Sequence, residues 1–202
     1  MNRQEKSKIK GEIQNLKIQT RRKEKEKKEK VDVKWIVTIL LMAFFISLGM
    51  SFVSEITLPK VPIYVGIILV IFFILIGVLF DMIGVAVTAS DEKVFHSMNA
   101  RKVKGASVAV KFKKNADKVA SFCNDVIGDI CGVISGSAGV TIALSLSQML
   151  QVDVFLITLL VTAIIAALTI GGKALGKSLA INKANLILYE FSKVVSYVYK
   201  GK

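Results

Sequence analysis

"PIYVGIILVIFFILIGVLF", residues 62–80, decides the fold. It is a run of 19 residues with no charge, and it is followed at once by Asp81. About 18 or more consecutive apolar residues suffice to cross a bilayer as a helix. Hydrocarbon offers backbone amides no water, so such a run must satisfy its own hydrogen bonds and is helical. Three further runs follow the same logic: IVTILLMAFFISLGMSFV (36–53), ICGVISGSAGVTIALSL (130–146) and VFLITLLVTAIIAALTI (154–170). The last two are at the short end of the spanning range, and the third run is diluted by small and polar residues. The expectation is an all-α integral membrane protein with four transmembrane helices.

The bulk composition agrees. The chain has 202 residues, 53% hydrophobic, with a formal net charge of +13. Oil and charge at these levels coexist only when segregated along the chain. Residues 1–34 hold 13 Lys/Arg, residues 81–129 hold eight and residues 172–202 hold six. The loop between the first two runs holds only Lys60, and the loop 147–153 holds none. If four helices alternate, 27 of the 28 basic residues fall on one side. Basic loops stay cytoplasmic, so both termini and the middle segment are expected inside, in a multi-pass protein of the plasma (inner) membrane. No cleavable signal peptide is visible, because the N-terminus is a long charged tail.

The division expected is a basic cytoplasmic tail over 1–34 and a four-span membrane domain over 35–202. The tail, with RRKEKEKKEK at 21–30, reads as a solvated arm that helps orient the first span, or as a segment drawn to anionic lipid headgroups. No interleaved aromatics accompany its basic residues, so no nucleic-acid partner is expected. Residues 89–122 are too polar to span. They read as a cytoplasmic amphipathic pair, with Ser90 or Asp91 as the first cap and Gly105 as the break. In the second of the pair, Val108, Phe112 and Val119 share one stripe and Lys111, Lys114 and Lys118 another. Residues 181–200 read as a C-terminal juxtamembrane helix, with Ile187, Phe191, Val194, Val195 and Val198 at helical spacing. Tyr189, Tyr197 and Tyr199 suit the headgroup zone.

Chemistry-bearing residues are few. Cys123 and Cys131 read as apolar packers, with no CxxC between them. His96 is the only histidine and has no Cys/His cluster around it. No nucleophile–base pair or phosphate loop is visible, so no enzyme is expected. The polar residues within or beside apolar sequence are more telling. A charge at mid-bilayer costs about 2.5–3.5 kcal/mol on insertion scales, so it is paired, hydrated or used. A helix from Pro62 to Ala89 is about 42 Å long, beyond the hydrocarbon thickness, which places Asp81 near the inner boundary. There it is either an interfacial acid paired with a lysine or part of a polar site with Asn124, Asp125 or Asp129. Carboxylate and amide oxygens are ligands that a hard cation such as Mg²⁺ accepts. If helix continues from residues 121–129 into the third run, Asn124, Gly128, Gly132 and Gly136 form an i, i+4 ladder. Small residues so spaced permit close helix approach.

This order of features resembles the membrane domain of the CorB/CNNM family (the DUF21 domain), over about residues 64–200. The first span is then an addition. FDMIGVAVTASDEKVFHSMNARKVKGA stands where that family has a serine-containing inner end and a basic helical pair. Of the family's Gly-Asn-x-Leu-Val-Asn, only Asn124 is kept. Of its Gly-Glu-x-x-Pro-Lys, Gly172 and Lys177 fit, while Lys173 stands in place of the glutamate and Gly176 in place of the proline. The resemblance implies divalent-cation transport, Mg²⁺ first, with Asp81 and Asn124 as ligands and Asp125 or Asp129 as helpers. It also implies a homodimer, with any cytoplasmic regulatory part supplied by a separate protein. Lys173 would repel a divalent ion, or else pair with Asp81 or Asp129. The alternative expectation is a non-conducting membrane scaffold or regulatory subunit that keeps the fold without the ion site.

Overall fold

The computed structural model describes residues 33–57 and 60–198. The tail over 1–32 and the expected end of the juxtamembrane helix, with Tyr199, lie outside the described residues. Every regular element among the described residues is helical. Helix α1 is Val33–Thr57, α2 Ile63–Ala89, α3 Glu92–Ala100, α4 Ala106–Lys114 and α5 Ala116–Ser121. A π-helical segment, Phe122–Gly128, joins α5 to α6, Asp129–Leu150. Helix α7 is Val154–Asn182 and α8 is Ala184–Val198.

Four of these are long and apolar enough to cross a membrane: α1, α2, the continuous Ala116–Leu150 rod, and α7. The runs at 130–146 and 154–170 were short only because their helices continue in less apolar sequence. The rod extends fourteen residues before Ile130, and α7 twelve beyond Ile170.

The chain divides into two compact units between Leu40 and Leu41. The first unit contributes only Val33–Leu40 to the described residues. Helix α1 as a whole buries no residue. In its second half, Glu55 accepts a hydrogen bond from Ser137 Oγ of α6 at 2.9 Å.

In the second unit α2, α6 and α7 pack against one another. Their apolar core holds Val70, Ile74, Ala138, Ile142 and Ile165. Outside it, Ile68, Phe72, Leu75, Leu159, Leu160 and Leu168 are exposed, as side chains facing lipid would be. The short loop between α6 and α7 is closed by two side chains. Ser147 Oγ donates to Val152 O at 2.7 Å, and Asp153 accepts from Phe155 N at 2.7 Å as the cap of α7.

A second core lies at the opposite, basic end. There α3, α4 and α8 gather round the last turns of α2, burying Val87, Phe95, Ala109, Val110 and Leu188. Phe112 of α4 stacks on Phe191 of α8 at 5.6 Å between centroids. Asp91, one of the two expected caps, caps α3 by accepting from Lys93 N at 3.0 Å. Ser90 turns back to Val87 O instead. Gly105 holds φ +85°, a backbone state that costs other residues energy. A β-carbon there would also sit 2.9 Å from the Lys193 Cα, so the turn rests directly on α8. The second member of the expected pair is broken once, at Asn115, whose side-chain amide donates to Lys111 O.

Lys113 reaches back from α4 to α2. Its ammonium donates to Val87 O at 3.0 Å and Thr88 O at 2.8 Å. The last carbonyls of a helix lack intrahelical donors and carry the negative end of its dipole, so a lysine there satisfies both needs.

Candidate functional site, a polar belt between two apolar cores

Along α2 the two cores are separated by the stretch Gly77–Gly84. Val70 and Ile74 belong to the first core, and Val87 to the second. Between them lie Gly77, Asp81 and Gly84. Gly77 and Gly84 are two turns apart, so they share a face, and that face receives the π-helical segment. A β-carbon on Gly77 would come 3.2 Å from Cys131 Cβ and 3.4 Å from Gly128 O.

Asn124 packs on Gly84. A β-carbon at residue 84 would lie 2.6 Å from Asn124 Cγ, and Asn124 Oδ1 occupies the place it would need. That oxygen is shielded from solvent and has no hydrogen-bond partner among the described residues. A buried amide oxygen without a donor costs roughly 1–3 kcal/mol, so its retention calls for a cause. The π-helical segment sets this geometry. A π turn inserts one extra residue per turn, and such turns concentrate at functional sites. Here it comprises the residues Phe122–Gly128 that include Asn124.

Asp81 is half-buried and lies within electrostatic range of Lys173, Asp129, Lys177 and Asp125. Lys173, from α7, pairs with Asp129 at 3.2 Å. Of the two partners considered for Lys173, the ion pair forms with Asp129. Lys173 is 26% exposed and Asp129 69%, so the acid faces outward while the lysine is largely enclosed. The lysine also passes Gly128, where its ammonium is 3.6 Å from a β-carbon position.

The four expected ligands are therefore neighbours in different roles. Asp81 stands inside the charge network, Asn124 is seated on Gly84, Asp129 is paired to Lys173, and Asp125 is exposed. Among the described residues no group of three or more His, Cys, Asp or Glu side chains is arranged to hold a metal ion. Both cysteines are free and buried, and His96 pairs with Glu92 at 3.2 Å on an exposed face of α3.

The glycine ladder needs correction. Of Gly128, Gly132 and Gly136, only Gly128 has neighbours; a β-carbon at Gly132 or Gly136 would meet nothing within 4 Å. Both lie in the regular helix α6, beyond the π turn, on a side that no described residue covers. Close approach of α2 and α7 is made instead by Gly172 and Gly176, a GxxxG pair in GGKALG. Their β-carbons would come 2.9 Å from Val78 and 2.8 Å from Met82. That spacing was the available signal in the sequence. Gly139 likewise receives the end of Ile165.

Compared with known proteins, the chain matches no protein-family model and no curated sequence.

Proposed function

We propose that this chain is a multi-pass protein of the plasma (inner) membrane, with both termini and the helical pair at 89–122 in the cytoplasm. We propose further that its polar belt handles a divalent cation, Mg²⁺ first, as the resemblance to the CorB/CNNM membrane domain implies. The orientation rests on the segregation of the basic residues. The cation reading rests above all on one observation. Asn124 keeps a shielded amide oxygen without a donor, seated on Gly84, three residues along the same membrane-length helix from the acid Asp81. Acceptor oxygens without donors suit a cation. In this reading Asp81 and Asn124 are ligands and Asp125 or Asp129 assists. The Lys173 ammonium is a resident positive charge that an arriving ion displaces. A homodimer and a separate cytoplasmic regulatory protein belong to the same reading.

A second reading is favoured by the Lys173–Asp129 pair. A tethered ammonium already neutralises part of the acidic belt, which suits a non-conducting scaffold or regulatory subunit. Mg²⁺ flux into proteoliposomes separates the two. The transport reading expects flux from the wild type and its loss in Asp81→Ala and Asn124→Ala. Equal flux in all three preparations discards the site.

A further inference from the structure

Helix α8 has two dissimilar stripes. Ala184, Leu188 and Ser192 are buried against the basic-end core, with Phe191 and Val195 half-buried beside them. On the opposite stripe Leu186 is 55%, Val194 62% and Tyr197 63% exposed, with Glu190 and Lys193 between them. One apolar face suffices to dock a helix on a core; a second apolar stripe calls for a second partner.

Its surroundings name that partner. Helix α8 starts after a single residue, Lys183, beyond α7, a helix of membrane-crossing length on which Leu175 and Leu179 are also exposed. Cationic heads border the stripe: the Lys104 ammonium sits 3.6 Å over the Tyr197 ring, and Lys193 lies 3.7 Å from Glu190. Across residues 88–129 and 172–198 there are twelve basic and six acidic side chains. Apolar side chains, a tyrosine and a cationic rim where a membrane-length helix leaves off match the order of acyl chains, interface and anionic headgroups.

We propose that the outer stripe of α8 seats in the surface of an anionic leaflet. Leu186 and Val194 enter the acyl boundary, Tyr197 lies at headgroup level, and Lys104 and Lys193 bind lipid phosphates. The inference rests on the chain spanning a membrane with this end at the inner leaflet, and is independent of the cation reading.

The test uses the full chain reconstituted in bilayers whose lipids carry bromine on the acyl chain, a contact quencher of tryptophan. Trp35 is the single tryptophan and is replaced by phenylalanine. Val194→Trp then reports α8, Tyr197→Trp is a conservative second reporter, and Leu75→Trp is the reference on the exposed face of α2. Residue 194 is expected to be quenched, and quenching is expected to rise about twofold when phosphatidylglycerol replaces part of the phosphatidylcholine. Lys104→Gln with Lys193→Gln is expected to abolish that rise. Quenching at 75 with none at 194 or 197 means that water or a second copy covers the stripe, and overturns the proposal. Equal quenching in neutral and anionic bilayers overturns the headgroup assignment. Absence of quenching at 75 as well removes the membrane reading on which the proposal stands.

Discussion

The side chain of Asn124 occupies the space that a β-carbon on Gly84 would fill. The two residues are a single steric unit joining α2 to the π-helical segment. Gly84→Ala cannot be accommodated without moving Asn124, and overpacking of this kind costs about 1–3 kcal/mol. The expected outcome is a lowered thermal midpoint in detergent. Asn124→Ala should recover part of the loss in a double-mutant cycle, because it vacates the contested space. Purely additive effects would show that the two residues do not meet.

The glycines of α6 and α7 give opposite expectations for the same change. Gly172→Ala and Gly176→Ala press on Val78 and Met82, and are expected to destabilise the α2–α7 crossing by about 1–3 kcal/mol. Gly132→Ala and Gly136→Ala meet nothing, so the gain in helix propensity dominates, about 0.5–1 kcal/mol of stabilisation. Thermal scans of the four single variants in one detergent check the signs. If Gly132→Ala or Gly136→Ala weakens a dimer without unfolding the chain, those glycines serve an interface between copies.

Lys173 separates electrostatic support from cation competition. Asp129 is largely exposed, so losing the pair is expected to change stability little, about 0–1 kcal/mol. On the cation reading, Lys173→Gln removes a competing charge and tightens Mg²⁺ binding, while Lys173→Gln with Asp81→Asn loses that gain. Calorimetric titration of the reconstituted protein measures both. No change in affinity in either variant argues for the scaffold reading.

Lys113 is expected to matter more than its place on a polar helix suggests. Lys113→Met keeps most of the aliphatic stem but takes the ammonium donor from Val87 O, which keeps Ser90 Oγ, and from Thr88 O, at about 0.5–2 kcal/mol. Hydrogen exchange should rise in the last turn of α2 while its middle turns stay protected.

Much of this architecture can be read from the chain because apolar runs and basic loops are local signals. Residues 62–80 could be little else than a membrane-length helix, and the cap before the helical pattern at 92 could be narrowed to Ser90 or Asp91, of which the structure uses Asp91. The π turn could not, because it depends on how residues 122–128 meet α2. The glycine ladder was drawn through Gly132 and Gly136 because spacing shows which residues share a face, but not whether a neighbour covers it. The GxxxG at Gly172 and Gly176 was present in the letters, but a vacancy does not reveal which neighbour fills it. Of the site, Asp81, Asn124 and Asp129 were identifiable as polar residues beside oily sequence. That Asn124 would rest on Gly84 needed both helices in place.

The ammonium of Lys113 also sets an order of events during synthesis. Thr88 leaves the ribosome twenty-five residues before the lysine that closes its helix. Until then the Thr88 carbonyl at the end of α2 lacks the donor that α4 brings. The end of α2 is thus completed by a helix made later in the chain and not by α2 itself.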